Sequence, residues 1–367
     1  MHFRELRLME LLEFINSDEF RNLKHIPITP QRAYSQVKNP RAQKDDVLLI
    51  IAYNSENELI GYSGILPDKI FINHYSRRIC WNSCWWVHPE KGKSAAIPLF
   101  LKVCKVCKNQ LIFADLAPAS RKIIEKMEYF TSPAKIEGLR GICRSYLAEL
   151  LPGKRKYFRY FKFILQMMDA TVNLISELKS KSAIRKFKHL NTEIEYIDHI
   201  DPDTAGFIEK HSQNELLKRS YEELNWILKY KWILNTAHQE DLNSQRYYFS
   251  SITKHFSFFA VKIIQNNELA AFLLLSERDG HVKIPYLYYP KQNKELVLKF
   301  IFGFLFNRKA KSFITFRTDL MDFFQCNNTP FIKKMYIQRY FSISRDFEEV
   351  KLNKSLFQDG DGDFVFT

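Results

Sequence analysis

The sequence predicts an α/β protein of two related domains, each a mixed, mostly antiparallel sheet flanked by helices. Three observations predict it. At 367 residues the chain is too long for one ordinary core and suits two. Strand-like and helix-like segments follow one another in the same order in both halves. Three short matches link the halves at a nearly constant offset of about two hundred residues.

In the first half, residues 5–15 place Leu8, Leu11, Leu12 and Ile15 at helical spacing. A loop containing Pro27, Pro30 and Pro40 follows. Val47–Tyr53 is a continuous apolar run and reads as a strand. Asn54–Asn57 supplies polar turn chemistry, and Glu58–Leu66 is the return strand of a hairpin. Arg78–Val87 is a strand, Ala95–Lys108 a helix, Leu111–Leu116 a strand and Ala119–Met127 a helix. Pro152-Gly153 then breaks the chain. From Tyr157 to Leu178 apolar residues recur at helical spacing, which predicts one long amphipathic helix bridging the halves.

The second half repeats the plan. Asp203–Ile227 reads as helix, Phe258–Ile263 and Glu268–Leu275 as strands around a turn at Gln265–Asn267, Val282–Tyr289 as a strand, Lys294–Phe306 as a helix and Ser312–Phe316 as a strand. Asn57-Glu58-Leu59 lies over Asn267-Glu268-Leu269, Val87-His88-Pro89 over Tyr288-Tyr289-Pro290, and Ile124–Met127 over Ile332–Met335. Three matches in order suggest a duplicated domain. The expected boundaries are 1–150 for the first domain, 151–195 for the bridging helix, 196–345 for the second domain and 346–367 for a tail.

Composition narrows the partners. With 46% hydrophobic and 26% charged residues the chain has an ordinary globular balance. The net charge of +14 favours an anionic partner: a phosphorylated cofactor, a nucleic acid such as tRNA, or an anionic membrane surface contacted peripherally. No run approaches the length of an uncharged spanning helix, and Met1–Glu10 lacks the apolar core of a signal peptide. A cytoplasmic location with free thiols is therefore expected.

The most informative segment is Trp85–Phe100. A strand ends at Val87, a short turn holds Gly92 and the small residues Ser94, Ala95 and Ala96, and a helix opens. Small residues let backbone N–H groups approach a phosphate, and a helix N-terminus adds partial positive charge. Lys91 and Lys93 add full charges.

Here the chain resembles the general control non-repressible 5-related N-acetyltransferase (GNAT) superfamily. Its turn reads Arg/Gln-x-x-Gly-x-Gly/Ala after a strand ending Val-x-Pro; this chain has Val87-His88-Pro89 and then Lys91–Ala96. The resemblance covers residues 45–132, and 200–345 in element order only. It implies two acyl-CoA N-acyltransferase-like domains, with acetyl-CoA or another acyl-CoA lying between the strand before the turn and the next one. Trp85, Trp86 and Val87 would pair with pantetheine, and Lys91, Gly92, Lys93, Ser94, Ala95 and Ala96 would hold the pyrophosphate. No metal is implied. The family often has an Asn and a general-acid Tyr where this chain has Ala117 and Ile124; Ser120 lies one turn from the latter. Pro290–Glu295 stands at the second turn without a glycine, so the second domain is expected to lack coenzyme and to serve the acceptor side.

Acyl transfer to an amine needs a base, a polarised carbonyl and a stabilised thiolate. His88 and Asp115 are the candidate bases, with helix capping as the plain alternative for Asp115. Tyr286, Tyr288, Arg317 and Asp319 are candidates for an acceptor pocket, with aromatic packing and an ion pair as the plain alternative. Cys80, Cys84, Cys104 and Cys107 lie inside regular elements rather than in knuckle turns, which argues against zinc. The basic aromatic run Lys154–Lys162 could grip a membrane surface or RNA. Asp359–Asp363 departs from a calcium loop because Phe364 stands where a glycine is needed. The expected activity is acyl-CoA-dependent N-acylation, acetyl transfer to a small amine such as an amino sugar or amino acid derivative. The alternatives are a catalytically degenerate binding protein and an aminoacyl-tRNA-dependent transferase.

Overall fold

The computed structural model describes residues 1–72, 75–185, 192–235, 245–327, 329–350, 352 and 357–366. The strands are β1 (His2–Arg7), β2 (Val47–Tyr53), β3 (Leu59–Ile72), β4 (Tyr75–Val87), β5 (Leu111–Ala114), β6 (Ala134–Ile142), β7 (Thr192–Ile197), β8 (Leu234–Asn235), β9 (Ile252–Thr253), β10 (Phe256–Gln265), β11 (Glu268–Arg278), β12 (His281–Tyr288), β13 (Ser312–Thr315) and β14 (Lys333–Ile343). The helices that matter below are α1 (Leu8–Asn16), α2 (Asp18–Asn22), α3 (Pro30–Val37), α4 (Ala96–Val106), α5 (Pro118–Glu125), α6 (Leu147–Lys154), α7 (Lys162–Arg185), α8 (Pro202–His211), α9 (Tyr221–Lys229), α10 (Lys294–Asn307) and α11 (Thr318–Cys326).

The chain forms two compact units, and neither is contiguous. The first comprises Met1–Ile136, His199–Phe256 and Arg339–Thr367; the second comprises Glu137–Asp198 and Ser257–Gln338. The units therefore differ from the expected stretches 1–150 and 196–345. Within the first unit, β1 to β5 follow in order, and Phe341–Ile343 of β14 pairs antiparallel with β5. Within the second, Leu139–Ile142 of β6 pairs antiparallel with β13, and β12, β11, β10 and β7 continue the sheet. Short-range periodicity could not foresee this, because the last strand of each sequence half finds its partner across a long stretch of chain.

In the first unit β2 is buried along its whole length, as an aliphatic run covered on both faces must be. Leu49, Ile51 and Tyr53 pack with Leu11, Phe14 and Ala33 of α1 and α3. Val47 and Ile50 pack with Leu99, Phe100 and Val103 of α4 on the other face. In the second unit an aliphatic and aromatic core joins Leu273, Val282 and Phe313 of the sheet to Ile301, Leu305 and Phe324 of the helices. Asn266 and Asn267 both have left-handed φ, 52° and 63°, as a two-residue hairpin turn requires.

Several local expectations change. The hairpin β3–β4 is longer than the apolar runs suggested, and β1, β6, β7 and β14 have no strong sequence signal. Pro30 opens helix α3 where a loop was expected, with Thr29 accepting from the Arg32 amide as its cap. Asp203–Ile227 is two helices, α8 and α9, not one. The expected bridging helix is α6, a 3₁₀ turn at Lys156–Arg159 and then α7; its residues 186–191 lie outside the described residues, as do 351, 353–356 and 367 of the tail. Along α7 the orientation is the reverse of the usual one. Asp169, Asn173 and Ser176 are buried, while Ile164, Met167 and Leu174 are exposed.

Candidate functional site in the first unit

β4 runs against β3 from Tyr75 to Val87, but it pairs with β5 only at Cys80–Leu111 and Trp81–Ile112. Beyond Trp81 the two parallel strands part. The parting coincides with a bulge: the β3–β4 register shifts between Tyr62 and Gly64, and Cys84 on the bulge has φ 60°. A β-carbon on Gly64 would stand 2.6 Å from the Ser83 carbonyl oxygen, so glycine lets β3 hug the bulge.

The bulge fixes where the last residues of β4 point. Trp85 packs on Phe100 of α4, with ring centroids 5.4 Å apart. Trp86 faces the opposite side and packs on Tyr62, its cross-strand partner, at 5.2 Å. On that side an open cleft of about 550 Å³ is lined by His25, Tyr62, Trp86, His88, Pro89, Glu90, Gln245, Arg246, Tyr247 and Tyr248. The cleft therefore runs from the bulge to the turn after β4.

The turn itself is closely bonded. The Gly92 amide donates to the His88 carbonyl at 2.9 Å, and the amides of Glu90 and Lys91 donate to His88 Nδ1 at 3.3 and 3.2 Å. The His88 ring thus occupies the amides of Glu90 and Lys91. Because Nδ1 accepts, the proton of the neutral ring is assigned to Nε2. Lys91 Nζ is paired with Glu58 at 2.6 and 2.7 Å, while Lys93 and Ser94 are exposed and Ala95 is buried.

Beside the cleft lies a buried polar cluster. The Arg32 guanidinium donates to Cys84 Sγ, to Tyr247 Oη at 3.4 Å and to Asp363 at 3.3 Å, and it also bonds Ser83 Oγ. It lies 4.4 Å over the Trp232 ring. Ser83 donates to the same Asp363 carboxylate. Burial pushes the Cys84 thiol pKa up against the pull of Arg32, so Cys84 is a neutral thiol at physiological pH. Burial likewise raises the phenols of Tyr62 and Tyr247. Burial, with Lys24 and His88 nearby, lowers the pKa of His25, so its imidazole is neutral and able to accept a proton near pH 7.

The other expected site residues are scattered. Asp115 is exposed at the end of β5 with φ 52°, and it does not cap α5, whose N-cap is Ala117 with no side-chain bond. Neither Asp115 nor Ser120 lines the cleft. In the second unit Tyr286 and Tyr288 are fully buried. β12 also parts from β13, after Lys283–Ile314. There Arg317, the N-cap residue of α11, donates to the Leu287 carbonyl at 2.9 Å and is held by Asp319 at 2.8 and 3.1 Å. Tyr289 bonds the same carboxylate. Arg317 thus caps a carbonyl on the parted strand. The corresponding N-cap in the first unit is Ala117, which has no group that could do so.

Sequence reasoning missed His25, Arg32, Tyr62 and Tyr247, and it weighed Cys84 and Asp363 as metal ligands. Tyr62 had a signal, since it lies opposite Trp86 in the hairpin. The segment around Tyr247 has none, because it reaches the site from far along the chain.

No family model matches this chain, and no curated protein matches it in sequence. Solved structures do. A conserved protein of unknown function from Enterococcus faecalis V583, a probable N-acyltransferase, is 9% identical with a TM-score of 0.53, covering 93% of this chain and 72% of its own. A GCN5-related N-acetyltransferase from Anabaena variabilis aligns at 11% identity over 93% of this chain and 72% of its own, with a TM-score of 0.49. An N-myristoyltransferase from Saccharomyces cerevisiae with bound myristoyl-CoA aligns at 10% identity over 94% and 79%, with a TM-score of 0.48. With the parted strands, the bulge on β4 and the Enterococcus likeness together, this chain has the N-acyltransferase fold.

Proposed function

We propose that the first unit is an acyl-CoA-dependent N-acyltransferase domain that acylates a small amine, and that the second unit takes no coenzyme. One observation carries this reading: the same strand parting occurs in both units, and only in the second does Arg317 cap the parted edge. The pantetheine would pair with the free edge of residues 85–87, and the pyrophosphate would meet Lys93, Ser94 and the start of α4 in place of the His88 ring. The acceptor amine would enter the aromatic cleft. There His25, neutral at working pH, takes the proton from the amine as it attacks the thioester carbonyl; the C–N bond forms, the C–S bond breaks and the thiolate leaves. Aromatic walls of Tyr62, Trp86, Tyr247 and Tyr248 suit an amine carrying a ring or an apolar chain as well as an amino sugar or amino acid derivative.

The bonding of the turn amides to His88 favours a second reading, a degenerate domain that binds no coenzyme. Melting the protein with and without acetyl-CoA separates the two. At a hundredfold excess over the dissociation constant the first reading predicts about 2.7 kcal/mol of added stability. An unchanged melt with acetyl-CoA and with longer acyl-CoAs would leave only the degenerate domain.

A further inference from the structure

α7 turns its apolar face outward. Asp169 accepts from Ser145 Oγ and from the amides of Leu147 and Ala148 at 2.5, 2.8 and 2.9 Å, so it caps the start of α6. Asn173 exchanges bonds with the Ser145 amide and carbonyl at 2.7 and 3.0 Å, and Ser176 donates to the Cys143 carbonyl at 3.3 Å. Together with the buried Leu165, these polar side chains fill the inward side of the helix. What remains is a stripe of Ile164, Met167, Met168, Leu174, Ile175 and Leu178, each about half exposed or more; Leu174 and Leu178 are both 61% exposed. A helix that buries polar groups and offers apolar ones to solvent needs an apolar partner on that side.

The charges beside the stripe identify it. Lys154, Arg155, Lys156, Arg159 and Lys162 are all exposed at the N-terminal end of the stripe. Tyr160 and Phe163, 89% and 72% exposed, stand among them. From Lys154 to Arg185 the sequence has two acids, Asp169 and Glu177. The first caps α6, and the second is paired with Arg144. A second copy of the same face would therefore set basic residues against basic residues with no acid to offset them. An anionic lipid surface offers hydrocarbon to the stripe, headgroup-level burial to the aromatic rings and phosphate to the basic run. Among the described residues no helix is long and apolar enough to cross a membrane, so the contact is interfacial. We propose that α7 and the turn before it dock the protein on an anionic membrane surface. This inference does not depend on the acyltransferase reading.

Sedimentation with large vesicles of phosphatidylglycerol and phosphatidylcholine tests it, with pure phosphatidylcholine as the neutral comparison. The full chain is expected to sediment with the anionic vesicles and to be released by salt. Met167→Glu combined with Leu174→Glu changes only exposed side chains, so the melt should be preserved while binding falls at least about tenfold. Lys156→Gln combined with Arg159→Gln should weaken binding about thirtyfold, at about 1 kcal/mol for each charge near the surface. Three results would overturn the proposal. The wild type could ignore anionic vesicles or bind neutral ones equally. It could be a dimer that Met167→Glu with Leu174→Glu dissociates, which would assign the face to a second copy. It could bind single-stranded RNA, and not vesicles, with an affinity untouched by the apolar substitutions.

Discussion

Asp68→Ala is expected to unfold the first unit at temperatures where the wild type is fully folded. Asp68 is buried, and its carboxylate accepts from Arg219 at 3.0 and 2.9 Å and from Trp81 Nε1 at 2.8 Å, and it bonds Arg41 as well. Arg41 is itself held by Glu223, and Arg219 also reaches Asp361 at 3.3 Å. Removing the central anion leaves two buried guanidinium groups with less negative charge than they need, which costs about 3–5 kcal/mol. Urea denaturation would measure it; a loss under about 1 kcal/mol would mean the network contributes little. The same network gives opposed pH dependences. Burial works to raise the pKa of Asp68, but Arg219 and Arg41 outweigh it and hold the group at about 2, so its stabilisation is present above the ordinary carboxylate pKa and is lost as pH falls towards 2. Burial raises Asp361 to about 7 against Arg219, so the folded state keeps a proton that the unfolded chain has lost. That contribution is full below about pH 4 and disappears as pH rises to about 7. Asp361→Asn should therefore flatten stability across that window.

Gly92→Ala should damage both the turn and the donor site. A β-carbon at Gly92 would lie 2.3 Å from the Ile60 carbonyl oxygen, 2.6 Å from the His88 amide nitrogen and 2.9 Å from the His88 carbonyl oxygen. Those are backbone atoms, and the His88 amide donates to the Ile60 carbonyl at 2.8 Å, the bond that ties the turn to β3. The methyl group must break or stretch that tie. Overpacking of this kind costs about 1–3 kcal/mol, or about 2–12 °C in melting temperature for a unit of this size. The turn would also move relative to β4, so stabilisation by acetyl-CoA should vanish even where the variant stays folded. A variant that melts like the wild type and still gains stability from acetyl-CoA would show that the turn tolerates a side chain and that Gly92 has no special part.

Much of the fold was legible because local patterns carry it. Val47–Tyr53, Asn54–Asn57 and the Asn266-Asn267 turn announce themselves through burial and turn chemistry. The exchanged strands β6 and β14 do not, because their partners are set by tertiary pairing rather than by their own periodicity. The turn after β4 was legible from Gly92 and its small neighbours, but the bonds that His88 makes to its amides were not, since a side-chain bond to a turn amide leaves no trace in spacing. Arg317 illustrates the same limit. In sequence it pairs with Asp319 as a surface couple would, and only the parted strand gives it a carbonyl to cap. The cleft was least legible, as Tyr247 and Tyr248 come from a segment with no motif. On α7 the periodicity was correct and the facing was reversed, because Asp169 and Asn173 satisfy backbone groups that no pattern reveals.

A crystal structure of the complex with acetyl-CoA tests the central claim most directly. It should contain one coenzyme per chain, its pantetheine paired with residues 85–87 of β4 and its pyrophosphate displacing the His88 ring from the turn amides, with Arg317 still bonded to the Leu287 carbonyl. Coenzyme bound along β12 with Arg317 swung away, or crystals that take up none while His88 stays on the amides, would contradict it.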